Sequence, residues 1–272
     1  MNLFITLAFL FSLGSFLGWI IELFFRKFFS FSNPEHKWIN PGFLRGPYLP
    51  LYGFSLCILY FLSQINFSFI ESKTLQHISL FFVMAISVTI FEYIAGFIFI
   101  KGMKVKLWDY SHLKGNIQGI ICPQFTFFWF ILGGFYYIFI NPFIDEALIW
   151  LSKHLIFSFV IGFFYGIFTV DLFYSLHILA KIKKFAQDKQ IIVKYENLKS
   201  IIQKENAEIL GKINFFFFFK ATPHAITKSL EKYIEKEREL FKNMIKLKRQ
   251  KKESQKEDKK ATLLNTILLW LY

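Results

Sequence analysis

Three acidic residues lie inside apolar segments that are long enough to cross a membrane: Glu22, Glu92 and Asp171. An ionised carboxylate is costly in a bilayer core, so such residues usually face a protein interior or a watery cavity. We therefore take these three carboxylates as candidates for a site that binds or carries a solute. The alternative is a structural role as hydrogen-bond partners between helices, and Glu22 could also pair with Arg26, four residues later.

Small residues share helical faces with two of these acids. Gly14 and Gly18 precede Glu22 at intervals of four residues, and a glycine also follows Glu92 at i+4. Small residues let helices approach closely, so we expect both carboxylates to point at a neighbouring helix. Asp171 has Ser175 at the same interval, which predicts a shared polar stripe.

The composition predicts the elements that must position these residues. The chain has 272 residues, of which 54% are hydrophobic and 21% aromatic, and its mean hydropathy is +0.41. These values are typical of a protein solvated by lipid and exclude an ordinary soluble domain. The predicted fold class is all-α, a transmembrane helical bundle with five spans over about residues 3–25, 50–70, 76–100, 119–140 and 154–180.

The loop charges predict an orientation in the cell (inner) membrane. The four loops between the predicted spans carry four, one, four and one Lys or Arg residues in chain order. Because basic loops stay in the cytoplasm, the N-terminus is expected outside and the C-terminal tail inside. All three acids then fall in the cytoplasmic halves of their spans, which predicts one polar pocket that opens to the cytoplasm.

Residues 181–272 form a separate, basic region that follows the transmembrane domain of residues 1–180. This tail contains 22 Lys and Arg residues against 11 Asp and Glu. Apolar residues spaced around Tyr195 and Leu230 predict amphipathic helices, and a run of five Phe occupies residues 215–219. We expect the tail to contact anionic lipid or a partner protein, and we expect no nucleic acid as a partner.

Two loops are rich in residues that break helices or cap them. The first spans residues 40–53, and its main positions are Asn40, Gly42, Arg45, Gly46, Pro47, Pro50, Tyr52 and Gly53. Its prolines and glycines exclude a regular helix, so the segment is either a structured loop tucked into the bundle or an interfacial turn. The second contains Trp108, Asp109, Tyr110, Ser111, Asn116 and Gly119. There, Asp109 and Ser111 could instead cap a short helix.

Together these motifs resemble the bacterial family of CmpB-type ABC-transporter permeases. The resemblance rests on the Gly18-Trp19-x-x-Glu22 motif, on the loop from Gly42 to Gly53, on Glu92, and on the Trp-Asp-Tyr-Ser loop with its following Asn and Gly. It covers about residues 3–180. Pro41 and Ile120 stand where the family often has basic residues.

The resemblance implies a membrane transport protein, with an ATPase subunit or another membrane protein as a partner. Its candidate pocket residues are Glu22, Arg45, Glu92, Asp109 and Asp171. The sequence has none of the His-Glu-x-x-His, Gly-x-Ser-x-Gly or P-loop motifs, so we predict no catalytic residues, no metal site, no cofactor and no enzymatic activity. The competing hypothesis is an accessory or scaffold membrane protein whose tail binds a partner or anionic lipid.

Overall fold

The computed structural model describes residues 2–30, 33, 36, 38–210, 229–240, 242–243, 246–247 and 250. Its named helices and strands are α1 (Leu3–Phe28), α2 (Pro50–Ser63), α3 (Lys73–Ile98), β1 (Val105–Lys106), α4 (Pro123–Phe135), α5 (Asn141–Lys153), α6 (Ser158–Asp188), β2 (Val193–Lys194) and α7 (Tyr195–Leu210). One π-helical turn (Phe99–Met103) extends α3, and a second (Tyr136–Ile140) joins α4 to α5. A 3-10 turn (Leu155–Phe157) precedes α6. The described chain is therefore mostly helical.

Four helical stretches are long and apolar enough to cross a membrane: Leu3–Phe28, Lys73–Met103, Pro123–Lys153 and Leu155–Asp188. They correspond to the first, third, fourth and fifth predicted spans. The fourth starts later than predicted because Ile117 and Ile121 pair in a short bridge, and Pro123 then opens the helix. The molecule is a helical membrane protein, but the predicted count of five spanning helices is not confirmed.

The second predicted span, residues 50–70, is helical only over Pro50–Ser63. Its 14 residues rise about 21 Å, which is less than the ~30 Å of a hydrocarbon core. Beyond this helix, the side chain of Asn66 accepts the Ser68 N–H at 2.8 Å, and the chain turns. Such local hydrogen bonds compete with helix continuation, although the surrounding residues remain apolar.

Residues 38–63 run antiparallel beside nearly the whole of α1, first as a non-helical loop and then as α2. The contacts, from the end of α1 towards its start, join Trp38 to Phe24, Leu49 to Ser15, and Cys57 to Leu7. The N–H of Leu49 donates to the Ser15 carbonyl at 2.9 Å, in the middle of α1. The loop therefore reaches the depth of the helix centre.

Glycines allow this close approach of α1 and α2. A Cβ atom added at Gly18 would collide with the Tyr52 ring, and one at Gly14 would lie 2.6 Å from the Cβ of Leu56. The predicted close contact on this face of α1 is therefore present. On α6, by contrast, a Cβ at Gly162 would meet no described atom within 4 Å.

Side-chain pairs fix the relative directions of the long helices. Tyr165 of α6 donates to the Ala8 carbonyl of α1 and Phe168 packs on Phe11, so α1 and α6 are parallel. Helix α3 is antiparallel to α4, because Thr89 contacts Thr126 and Met84 lies against Gly133. Helix α2 is parallel to α4 and α5, because Tyr52 packs on Trp129 and Ser63 donates to Asn141. Successive membrane segments therefore alternate in direction.

The start of the tail belongs to the same compact unit as the helices, which covers residues 1–220. Strand β2 pairs with β1 in parallel register, Val105 with Val193, and α7 follows directly. A second unit begins at residue 221, and its residues 229–240 are helical, with Leu230 and Tyr233 buried. The Phe run at 215–219 and the apolar residues 263–272 lie outside the described residues.

Candidate functional site

Glu22 and Glu92 belong to one group of side chains, which we call the carboxylate cluster: Glu22, Tyr52, Glu92, Tyr110 and Trp129. Glu92 is 3% exposed. It accepts hydrogen bonds from the Trp129 indole at 2.9 Å and from the Tyr110 hydroxyl at 3.2 Å. Both carboxylates thus point at protein neighbours, as the glycine spacing predicts.

Glu22 completes the cluster on the side of α1. It accepts a hydrogen bond from the Tyr52 hydroxyl at 3.0 Å and from the Arg26 guanidinium at 2.9 Å. The i, i+4 pair considered from the sequence is therefore formed. A second nitrogen of Arg26 pairs with Glu196 of α7 at 2.5 Å, so one guanidinium is shared by two carboxylates.

Tyr110 interacts electrostatically with both carboxylates of the cluster. Burial raises the pKa of its phenol well above the ordinary value, and the charges of Glu92 and Glu22 raise it further. The phenol therefore keeps its proton and acts as a donor. Because its ring also stacks on Phe125, with 4.3 Å between centroids, Tyr110 fixes the second loop against α4.

Asp171 has a different set of partners, all but one from the first loop. Its carboxylate accepts the Arg45 N–H at 2.9 Å, the Gly46 N–H at 2.9 Å and the Tyr48 hydroxyl at 2.6 Å. Ser175 adds a bond at 3.1 Å, as its i+4 spacing predicts. Two backbone N–H groups that have no helical partner are thereby satisfied, so Asp171 anchors the loop to α6.

Arg45 uses its backbone and its side chain for different contacts. Its N–H binds Asp171, whereas its guanidinium carbon lies 3.4 Å from the centroid of the Tyr174 ring. The sequence suggested Arg45 as a charged group of the pocket. The contact with Tyr174 is a cation–π interaction on α6, and the role of Arg45 in a pocket stays a prediction.

Asn40 holds the beginning of the loop. It is 2% exposed, accepts the Trp19 indole N–H at 2.6 Å and donates to the Arg45 carbonyl at 2.9 Å. Gly42 adopts a positive φ of 76°, which favours glycine. Tyr48 and Leu49 are also buried, and every residue from 40 to 49 is buried or half-buried.

Asp109 forms an ion-pair junction in the second loop. It binds Lys106 at 2.7 Å and Lys194 of β2 at 2.9 Å. Burial alone would raise the pKa of Asp109, but hydrogen bonds from Lys106, Lys194 and Ser111 outweigh it and hold the pKa below its ordinary value. The ionised carboxylate thus links this loop to the tail through Lys194.

The rest of the second loop is held by its own polar groups. Asp109 accepts the Ser111 N–H within a turn, so it does not cap a helix as considered from the sequence. The Trp108 indole donates to the Ile120 carbonyl at 2.8 Å, and Asn116 accepts the Gly119 N–H at 2.9 Å. These bonds lock the turn that leads into α4.

Lys199 of α7 is the residue that the sequence reasoning missed. It is 5% exposed, and its ammonium group donates to the carbonyls of Asn40 and Gly42. Its helical spacing could have identified it, because Lys199 shares a face with Tyr195 and Ile202, which are also buried.

Two cavities adjoin these elements. A polar cavity of about 40 Å³ is lined by Arg26, Ser30, Asn33, Ile39, Glu196, Lys199 and Ser200. It has room for about one water molecule. A groove of about 450 Å³ lies between α3 and α4 and is almost entirely apolar. In the part of the chain that the structure describes, no group of three His, Cys, Asp or Glu residues could hold a metal ion.

A family model described as "Putative ABC-transporter type IV" matches residues 9–176 of the chain. None of the curated proteins and none of the solved structures compared with the chain matches it. The matched residues include the carboxylate cluster, the two loops and Asp171. Lys199 and the rest of the tail follow the matched region.

Proposed function

Because the chain belongs to this ABC-transporter type IV family, whose model matches more than half of its length, we propose that it carries or binds a small solute at the carboxylate cluster. The charges of Glu22 and Glu92 both act on Tyr110, and Arg26, which neutralises Glu22, is shared with Glu196. This surplus of negative charge favours a solute with a positive charge.

The observation that carries the proposal is the environment of Glu92. The carboxylate is almost completely buried, and the two hydrogen bonds described for it come from the neutral groups of Tyr110 and Trp129. Buried carboxylates in membrane proteins are costly and commonly mark pathways of ions or substrates. Asp171, with four donors from the loop and α6, fits a structural role better.

The variants Glu92→Gln and Asp171→Asn separate the two roles. We expect K⁺, Na⁺ or methylammonium to raise the melting temperature of the purified wild-type protein, because a ligand that binds the folded state stabilises it. Glu92→Gln should keep the melting temperature measured without added ligand within a few degrees but lose this response. Asp171→Asn should lower that melting temperature and keep the response.

The matched control is Glu146→Gln, which makes the same chemical change at an exposed position of α5. It should respond to the cations like the wild-type protein. A full response in Glu92→Gln, or a melting temperature that no cation raises in the wild type, would contradict the proposed site.

We also propose an ATPase subunit as a partner and no enzymatic activity for this chain itself. The family description supports the first part of this proposal. Purification from native membranes under mild detergent should retain an ATP-hydrolysing subunit. Repeated purification without such a subunit would count against coupling to ATP hydrolysis.

The second candidate function is that of an accessory protein whose tail binds a partner or anionic lipid. The charge of residues 181–272, with 22 basic and 11 acidic residues, favours it. A chain that ends at residue 210 keeps the docked part of the tail and removes the rest. If this truncated chain retains full cellular function, the tail beyond residue 210 recruits no essential partner.

A further inference from the structure

Residues 193–202 of the tail pack on the membrane helices and on both loops. Val193, Tyr195, Leu198, Lys199 and Ile202 are each at most 5% exposed. The amphipathic pattern predicts a buried face for this helix. The structure adds that polar contacts at three separate points accompany the apolar ones.

The first point is Lys199. Its ammonium group reaches the carbonyls of Asn40 and Gly42, at the start of the buried loop. These carbonyls belong to non-helical backbone, which needs donors at this depth. Asn40 also binds the Trp19 indole of α1, so Lys199 connects the tail to the loop and, through Asn40, to the first helix.

The second point is Glu196. Its carboxylate pairs with Arg26, and the same guanidinium pairs with Glu22 of the carboxylate cluster. One arginine therefore separates the tail from the proposed solute site. If α7 moved away, Arg26 would lose one partner and Glu22 would become its remaining acidic neighbour among the contacts described.

The third point is the short parallel sheet. Val193 pairs with Val105, and Lys194 binds Asp109 in the second loop at 2.9 Å. Tyr110, the next residue in that loop, donates to Glu92. The second loop thus contacts the tail through Asp109 and the carboxylate cluster through Tyr110.

We propose that residues 193–202 form an intramolecular latch that closes the entrance to the carboxylate cluster, so that a solute reaches the cluster only when the latch undocks. The inference rests on the proposed function for its solute, but the docking itself does not. The polar cavity beside Arg26, Glu196 and Lys199 measures only about 40 Å³. Arg26 also pairs with Glu22, so a solute larger than water that approaches Glu22 from this cavity requires these side chains to separate.

The test is hydrogen exchange, followed by mass spectrometry, on the full chain in detergent micelles. Lys199→Glu places a carboxylate against two carbonyls and beside Glu196, which should undock the latch. We expect exchange of the N–H groups in residues 40–46 and 193–202 to rise about tenfold or more. Lys189→Glu, the same change at an exposed position, should leave exchange at the wild-type rate.

A milder variant, Glu196→Gln, keeps the experiment informative if charge reversal disturbs folding. It removes the ion pair with Arg26 while keeping the size of the side chain. Exchange should rise in the same two segments and stay constant in α3 and α4. Wild-type exchange rates in both segments for both variants, or a rise of similar size throughout α3 and α4, would overturn the latch.

A chemical probe separates the latch from the proposed function. A water-soluble carbodiimide should modify Glu22 faster in Lys199→Glu than in the wild-type protein, because the cluster becomes accessible. If this labelling rises but Glu92→Gln still responds to cations, the latch stands and the proposed solute site fails. Unchanged labelling together with unchanged exchange would remove the latch and leave the solute site to its own test.

Discussion

The three membrane acids differ in what surrounds them. Asp171 accepts backbone N–H groups of Arg45 and Gly46, and therefore holds a segment of irregular chain. Glu92 accepts only side-chain donors among the bonds described for it, and it lies with Glu22 around Tyr110. Carboxylates in similar apolar segments thus have different kinds of hydrogen-bond donor, and the type of donor distinguishes them.

We expect docking of the tail to depend on pH through Lys199. Burial lowers the pKa of its ammonium group from 10.5 to about 7, the charge of Arg26 lowers it too, and Glu196 opposes both. The loop contributes the carbonyls of Asn40 and Gly42. Between pH 7 and 10.5, docking therefore releases a proton from Lys199. The equilibrium constant for docking rises with pH in this range, by at most about tenfold per pH unit. Below pH 7 docking should be weakest and constant.

Spin labels at two exposed positions, Asn197→Cys and Lys114→Cys, measure this dependence in a chain with Cys57 and Cys122 replaced by alanine. The distance distribution should be narrow at pH 9 and gain a long-distance component as the pH falls to 7. In the variant that also carries Lys199→Met, the distribution should no longer change with pH. A constant distribution in the chain that retains Lys199 would show that its ammonium group does not control docking.

At the scale of elements, α1 and α2 depend on glycine for their contact. Gly18→Ala would drive a methyl group into the Tyr52 ring, and overpacking of this kind costs about 1–3 kcal/mol. We expect a lower melting temperature, measured by thermal unfolding in detergent. Gly162→Ala is the matched control on α6, where the added methyl group meets no described atom within 4 Å. An equal loss in both variants would contradict the packing argument.

Hydropathy predicts the long helices well but misjudges the second segment. The limits of α1, Leu3–Phe28, lie close to the predicted 3–25. A single apolar segment in lipid forms a helix because a helix satisfies its backbone hydrogen bonds internally. Four of the six residues at 65–70 are still apolar after α2 ends, so the hydropathy pattern does not reveal the turn around Asn66. Pro and Gly residues predict the irregular loop, but its partners, Ser15 and Asp171, depend on tertiary packing.

The candidate site could be predicted only in part, for the same reason. Carboxylates in apolar runs indicate where polar contacts must exist, and the i+4 spacing correctly pairs Glu22 with Arg26 and Asp171 with Ser175. Long-range partners leave no such spacing in the sequence. Lys199 and Asn40 are separated by 159 residues, and only the docking of α7 brings them together.

At the scale of the whole molecule, five crossings stay a prediction, in which residues 38–63 would form the discontinuous one. The N-terminus would then lie outside and the tail in the cytoplasm, as the loop charges predict. A membrane-impermeant maleimide should label Ser68→Cys in intact cells and Lys114→Cys only after permeabilisation. The reverse pattern would invert the orientation, and labelling of both positions in intact cells would exclude five crossings.

The short α2 also has a consequence for how the chain enters the bilayer. With 14 helical residues behind a buried loop, this segment presents too little apolar helix to partition into lipid alone. Because glycines on α1 form the surface on which α2 packs, we expect the two helices to insert as a pair. Biogenesis of this protein is therefore expected to require retention of α1 beside the insertion machinery until residue 63 has been synthesised.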